Sequence, residues 1–137
     1  MILITGASGG VGSGAVQLAR LREARVLALA GSRKEQAVRE LGADLVVASR
    51  STNLAEHVLA ANGGPVDVVA DVVGGSIFAG LLRVLRPLGR YVTVGAVGGP
   101  VADLDLRTLY LKHLDLLGST LGSHDDFTRL VRLINEG

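Results

Sequence analysis

The segment Gly6-Ala7-Ser8-Gly9-Gly10-Val11-Gly12 constrains this chain more than any other part of it. It follows the short apolar run Ile2-Leu3-Ile4-Thr5 and opens a stretch with helical spacing, Val11 to Arg22. A glycine-rich turn between a strand and a helix suits a phosphate, because the first helical amides and the helix dipole converge on the anion. On this reading Gly9 lets the backbone approach a pyrophosphate closely, and Gly12 lets the helix pack against the strand. Ala7, Ser8, Gly10 and Val11 complete the cradle. Such a turn alone is weak evidence. Here it has the required context of strand, turn, helix and second strand, the last at Arg25 to Ala30.

The rest of the chain keeps the same rhythm. Ile2 to Thr5 reads as strand one and Gly10 to Arg22 as a helix, with Val11, Ala15, Leu18 and Arg22 along one face. After strand two, a helix is expected over Arg33 to Leu41, closed by Gly42. Strand three is Asp44 to Ala48. Asn53 is placed to cap a helix that ends near Asn62, before Gly63-Gly64. Strand four is Val66 to Val73, followed by a helix over Ser76 to Leu85. That helix stops at Arg86-Pro87-Leu88-Gly89, and strand five is Arg90 to Val94. Gly95 to Pro100 reads as a loop and Leu104 to His113 as a connector with a short helix. Strand six is Leu116 to Thr120, and Asp125 to Glu136 is a final helix with Leu130, Val131 and Ile134 apolar. The alternation predicts an α/β fold of the doubly wound Rossmann type. Its six-stranded parallel sheet, in order 3-2-1-4-5-6, carries helices on both faces. The ligand belongs across the carboxyl ends of strands one and four, where the strand order reverses.

Bulk properties narrow the function further. At 137 residues the chain reads as one domain, residues 1–137, starting abruptly at its first strand as a fragment or excised domain does. It is 48% hydrophobic and 3% aromatic, which fits strands of Val, Leu, Ala and Ile buried on both faces. A net charge of +1 gives no reason to expect nucleic acid or a membrane surface as partner. The absence of cysteine excludes disulfides and thiolate metal sites. His57, His113 and His124 are scattered without metal-ligand spacing and read as surface residues. No apolar run is long enough to span a bilayer, so a cytoplasmic location is expected.

The end of strand two addresses the choice of cofactor. An acidic residue there commonly bonds the ribose 2′-hydroxyl of NAD. Here the sequence is Ala30-Gly31-Ser32-Arg33-Lys34, with no carboxylate before Glu35. A hydroxyl followed by two cations favours a 2′-phosphate, so NADP is expected over NAD, with Ser32, Arg33 and Lys34 on that phosphate. Arg50, after strand three, lies at the same end of the sheet and is a weaker candidate. Val73 and Gly74 after strand four, and Val94, Gly95 and Ala96 after strand five, lie where the ribose and nicotinamide would pass. Asp71 reads as a satisfied polar group in an apolar strand rather than as a catalytic base.

The sequence resembles two families, one of them only in part. Thr5 to Gly12 also fits the TGxxxGxG pattern of short-chain dehydrogenases, but their catalytic Tyr-xxx-Lys pair is missing. Tyr91 is followed four residues later by Gly95, and Tyr110 by Leu114. Ala70 to Gly75 stands where that family carries Asn-Asn-Ala-Gly. The whole chain instead resembles the nucleotide-binding domain of medium-chain dehydrogenases, in the zinc-free quinone oxidoreductase branch. The segments that carry the likeness are Ile4 to Gly12, Ala15-Val16-Gln17-Leu18-Ala19, Leu41-Gly42-Ala43-Asp44, Asp67-Val68-Val69 with Val73-Gly74-Gly75, Leu88 to Gly95, and Leu116 to Thr120. The resemblance implies NADPH-dependent reduction of a quinone or another activated alkene or carbonyl, and supports Ser32 and Lys34 at the 2′-phosphate. It also implies a homodimer through the edge of strand six, and an N-terminal catalytic domain that this chain lacks. One departure stands out: relatives often carry Asn-Tyr after strand three, where this chain has Ala48-Ser49. The alternative reading is a non-enzymatic nucleotide-binding or dimerisation module, since the fold alone does not fix function.

Overall fold

The computed structural model describes residues 1–136. Its strands are β1 (Ile2–Ile4), β2 (Val26–Ala30), β3 (Leu45–Ala48), β4 (Val66–Asp71), β5 (Leu85–Thr93) and β6 (Asp115–Gly118). Its helices are α1 (Gly10–Leu21), α2 (Glu35–Glu40), α3 (Leu54–Asn62), α4 (Phe78–Val84), α5 (Leu106–Leu111) and α6 (His124–Glu136). All strand pairs are parallel, and the sheet order is β3-β2-β1-β4-β5-β6, as the alternation predicts. Successive residues of a strand point to opposite faces, so each strand feeds two cores. Leu3, Leu27 and Leu29 pack with Val58, Leu81 and Leu82 beneath α3 and α4. Ile4, Val26, Ala28 and Ala30 pack with Val16 and Val38 beneath α1 and α2.

Four local expectations change. The buried face of α1 is Gly12 and Val16, flanked by the partly buried Ala15 and Ala19. Val11 and Leu18, expected inside, are 62% and 40% exposed. Both stripes have helical spacing; the small one wins because the helix starts so close to the turn that a large side chain would not fit beneath it. The helix expected from Arg33 begins as a single 3-10 turn over Ser32–Lys34, and the α-helix proper starts at Glu35. Asn53 precedes α3 but does not cap it; its amide donates to the Glu56 carboxylate at 3.1 Å. Arg86-Pro87-Leu88-Gly89, read as a break, lies inside β5. There Val66 pairs with Leu85 and Val68 with Arg90, so the register shifts. Pro87 has no amide to give, and Leu88 sits at φ 61 with its amide bonded to the Lys112 carbonyl at 2.7 Å.

Candidate dinucleotide-binding site

Ile4 ends β1, and the chain reverses at Gly6, whose φ of 55 is open to glycine. The turn is held from both sides. The Ala7 amide donates to the Leu29 carbonyl at 3.1 Å, and the Gly9 amide returns to Gly6 O at 2.9 Å. Helix α1 then starts at Gly10 with Gly9 extended before it and no side chain capping it. The first amides of a helix have no intrahelical acceptor, so those of Gly10, Val11 and Gly12 remain available to an anion. Gly12 is fixed by packing: a Cβ there would stand 2.2 Å from Gly6 O and 2.7 Å from Gly6 C. At Gly10 a Cβ would meet nothing within 4 Å. Gly12 therefore serves close packing of the helix on the turn, and Gly10 lies at its open, exposed edge.

Beyond the turn run two cavities that share Gly31 and Ser49. The smaller, about 210 Å³, is lined by Thr5, Gly6 and Ser8 of the turn together with Leu29, Ala30, Val73 and Ile77. The larger, about 610 Å³, is lined by Ser32, Arg33, Lys34, Ala48 and Arg50. The structure thus brings Arg50 to the same cavity as Ser32, Arg33 and Lys34. Among the described residues, none of these three cations takes part in an ion pair. Their charges face solvent without a carboxylate partner. Ser49, Leu29, Ala30, Gly31 and Ile77 also line this path without having been singled out as site residues. Their only signal was position at the carboxyl edges of β2 and β3 and after the Gly74-Gly75 pair.

Val94, Gly95 and Ala96 line neither cavity. They form one backbone unit with the segment after β4. Gly98 donates its amide to the Val73 carbonyl at 2.7 Å, and Val97 to Val72 at 3.5 Å. A Cβ on Gly75, at φ 60, would lie 2.4 Å from Gly98 O, so the two loops touch main chain to main chain. Asp71, at the end of β4, is fully buried and satisfied, as expected. It accepts from the Thr5 and Tyr91 hydroxyls, each at 2.5 Å, and from the amides of Val73 at 2.8 Å and Gly74 at 3.0 Å. The last two bonds turn the chain out of the sheet, which is why β4 stops two residues short of the expected Val73. Burial, and then the bond to Asp71, pushes the Tyr91 phenol well above its ordinary range, so it stays a hydrogen donor near neutral pH.

A family model for zinc-binding dehydrogenases matches residues 10–136. The chain belongs to this family. It is a nucleotide-binding domain of the medium-chain dehydrogenase/reductase superfamily. Quinone oxidoreductase-like protein 2 of Bos taurus is 38% identical over 127 residues, covering 90% of this chain and 36% of that protein. A solved Sinorhizobium meliloti 1021 protein described as an alcohol dehydrogenase is 58% identical with a TM-score of 0.93, over 98% of this chain and 38% of that one. The 2-octenoyl-CoA carboxylase reductase CinF, solved with NADP and 2-octenoyl-CoA, is 31% identical with a TM-score of 0.89, over 97% of this chain and 34% of that one. The chain therefore spans well under half the length of these relatives. Among the described residues, no three His, Cys, Asp or Glu side chains are grouped to hold a metal. The three histidines are exposed, as expected, and among the described residues no helix is long and apolar enough to cross a membrane.

Proposed function

We propose that this medium-chain dehydrogenase domain binds NADP(H) in preference to NAD(H) for a cytoplasmic oxidoreductase that reduces a quinone or another activated alkene or carbonyl. The observation that carries the cofactor choice is the cluster of Arg33, Lys34 and Arg50 around one cavity, with Ser32 beside them and no carboxylate in its lining. In this reading the amides of Gly10, Val11 and Gly12 hold the pyrophosphate, with Ala7, Ser8 and Gly9 shaping the turn around it. Ser32, Arg33, Lys34 and Arg50 hold the 2′-phosphate. Arg50 takes the place of the tyrosine that relatives carry after strand three. Val73, Gly74, Val94, Gly95 and Ala96 flank the nicotinamide side. The bound cofactor supplies the hydride, while the chain fixes the cofactor's position and charge environment. The substrate contacts belong to a catalytic domain outside these residues.

Calorimetric titration of the chain with NADPH and NADH tests this. NADPH should bind at least about tenfold more tightly, as expected for one extra phosphate met by charged donors. Equal affinities would overturn the NADP assignment, and no binding of either would overturn the site.

The same reading includes a homodimer. Strand β6 ends the sheet, leaves one edge unpaired, and exposes 46% of Leu117. Pairing β6 with its copy removes that edge. The strand itself is Asp115–Gly118, so Ser119 and Thr120 flank the pairing rather than belong to it. Light scattering at micromolar concentration should report twice the chain mass; a monomer would contradict the assignment.

A further inference from the structure

The glycine turn and the loops after β4 and β5 are far apart in sequence, yet Asp71 bonds beside all three: its carboxylate meets Thr5, the loop after β4 and Tyr91 of β5, and its carbonyl meets Val94. Asp71 Oδ1 accepts from the Thr5 hydroxyl and the Val73 amide, and Oδ2 accepts from the Tyr91 hydroxyl and the Gly74 amide. Each oxygen thus joins one side chain, Thr5 just after β1 or Tyr91 within β5, to one amide of the loop after β4. The Thr5 hydroxyl in turn accepts from the Val72 amide at 3.0 Å, which closes a ring between the ends of β1 and β4. The Asp71 carbonyl accepts from the Val94 amide at 2.9 Å, at the start of the loop after β5. Asp71 itself lines neither cavity, whereas Thr5 and Val73 line the smaller one.

We propose that Asp71 is a positioning residue for the dinucleotide. Through Thr5 it sets the phosphate turn, and through Tyr91, Val73 and Gly74 it fixes the nicotinamide-side loops relative to that turn. This rests on the cofactor reading above. A carboxylate suits the place because four donors converge on two oxygens. An asparagine would turn one of those acceptors into a donor facing donors. A rigid link between the two ends of the site lets a long, flexible cofactor bind without first ordering the loops it meets.

Two substitutions separate this role from a purely structural one. Tyr91→Phe removes one donor and keeps the ring that packs edge-on against Phe78 at 5.1 Å between centroids. Thr5→Val removes the donor on the phosphate side. The intact chain and both variants are titrated with NADPH and with 2′,5′-ADP, which keeps the adenosine half and its 2′-phosphate but lacks the nicotinamide. Tyr91→Phe should weaken NADPH about five- to tenfold and 2′,5′-ADP less than about twofold, whereas Thr5→Val should weaken both by similar factors. A general loss of stability would lower both affinities in parallel. An unchanged ratio of the two affinities in Tyr91→Phe therefore overturns the proposal, whether both fall or both hold. If the wild-type chain binds neither ligand, the cofactor reading itself falls, and the role of Asp71 with it.

Discussion

Gly12→Ala should abolish measurable NADPH and NADH binding and lower the stability of the chain. The added Cβ would stand 2.2 Å from Gly6 O, 2.7 Å from Gly6 C and 2.8 Å from the Ala7 Cα, and all three are main-chain atoms. No side chain can swing aside to relieve the contact, so either α1 lifts from the turn or the turn opens. Forcing extra volume into a packed place costs about 1–3 kcal/mol, and main-chain contacts put this case at the upper end. The amides that meet the pyrophosphate move with the helix. Losing their alignment should reduce affinity at least about 100-fold, because hydrogen bonds to charged groups contribute about 1.5–3 kcal/mol each. Gly14→Ala is the matched control. It lies in the same helix, and its Cβ would meet nothing within 4 Å. That variant should bind normally and gain up to about 1 kcal/mol of stability from the better helix former. Calorimetry and thermal melting of the pair would decide; normal binding by Gly12→Ala would contradict the placement of the phosphate turn.

The second large effect belongs to the cation cluster. The double variant Lys34→Ala with Arg50→Ala should weaken NADPH about 30-fold or more at low salt and change NADH by less than about twofold. Both side chains are exposed, so each contact is discounted for solvent, and the loss should shrink as ionic strength rises. Among the described residues neither takes part in an ion pair or a core cluster, so folding stability should hold within about 0.5 kcal/mol. An equal loss of NADH affinity would show that these cations meet the pyrophosphate or nothing specific, and would remove the basis for choosing NADP.

How far the chain could be read follows from how local each signal was. Strand one, the turn and α1 were legible because a run of apolar residues, four glycines and helical spacing lie within one short segment. The sheet order followed from the alternation of strands and helices. The buried face of α1 did not, because two stripes share the helical period and only the contact between Gly12 and Gly6 selects the one with small residues. The start of β5 was hidden by Pro87 and Gly89, local signs of a break that the sheet absorbs as a register shift. In the site, the cations after β2 were plain in the sequence. Their union with Arg50 depends on β2 and β3 being neighbours. The bonding partners of Asp71 were out of reach, since Thr5 and Tyr91 lie 66 and 20 residues away along the chain.

The most direct test of the account is a crystal structure of the chain with NADP⁺ bound. It should show the pyrophosphate over the amides of Gly10 to Gly12 and the 2′-phosphate within hydrogen-bonding distance of Ser32 and Lys34, with Arg50 closing on it. A 2′-phosphate pointing into solvent, away from Arg33, Lys34 and Arg50, would contradict the assignment of NADP, and a dinucleotide bound away from the glycine turn would contradict the site itself.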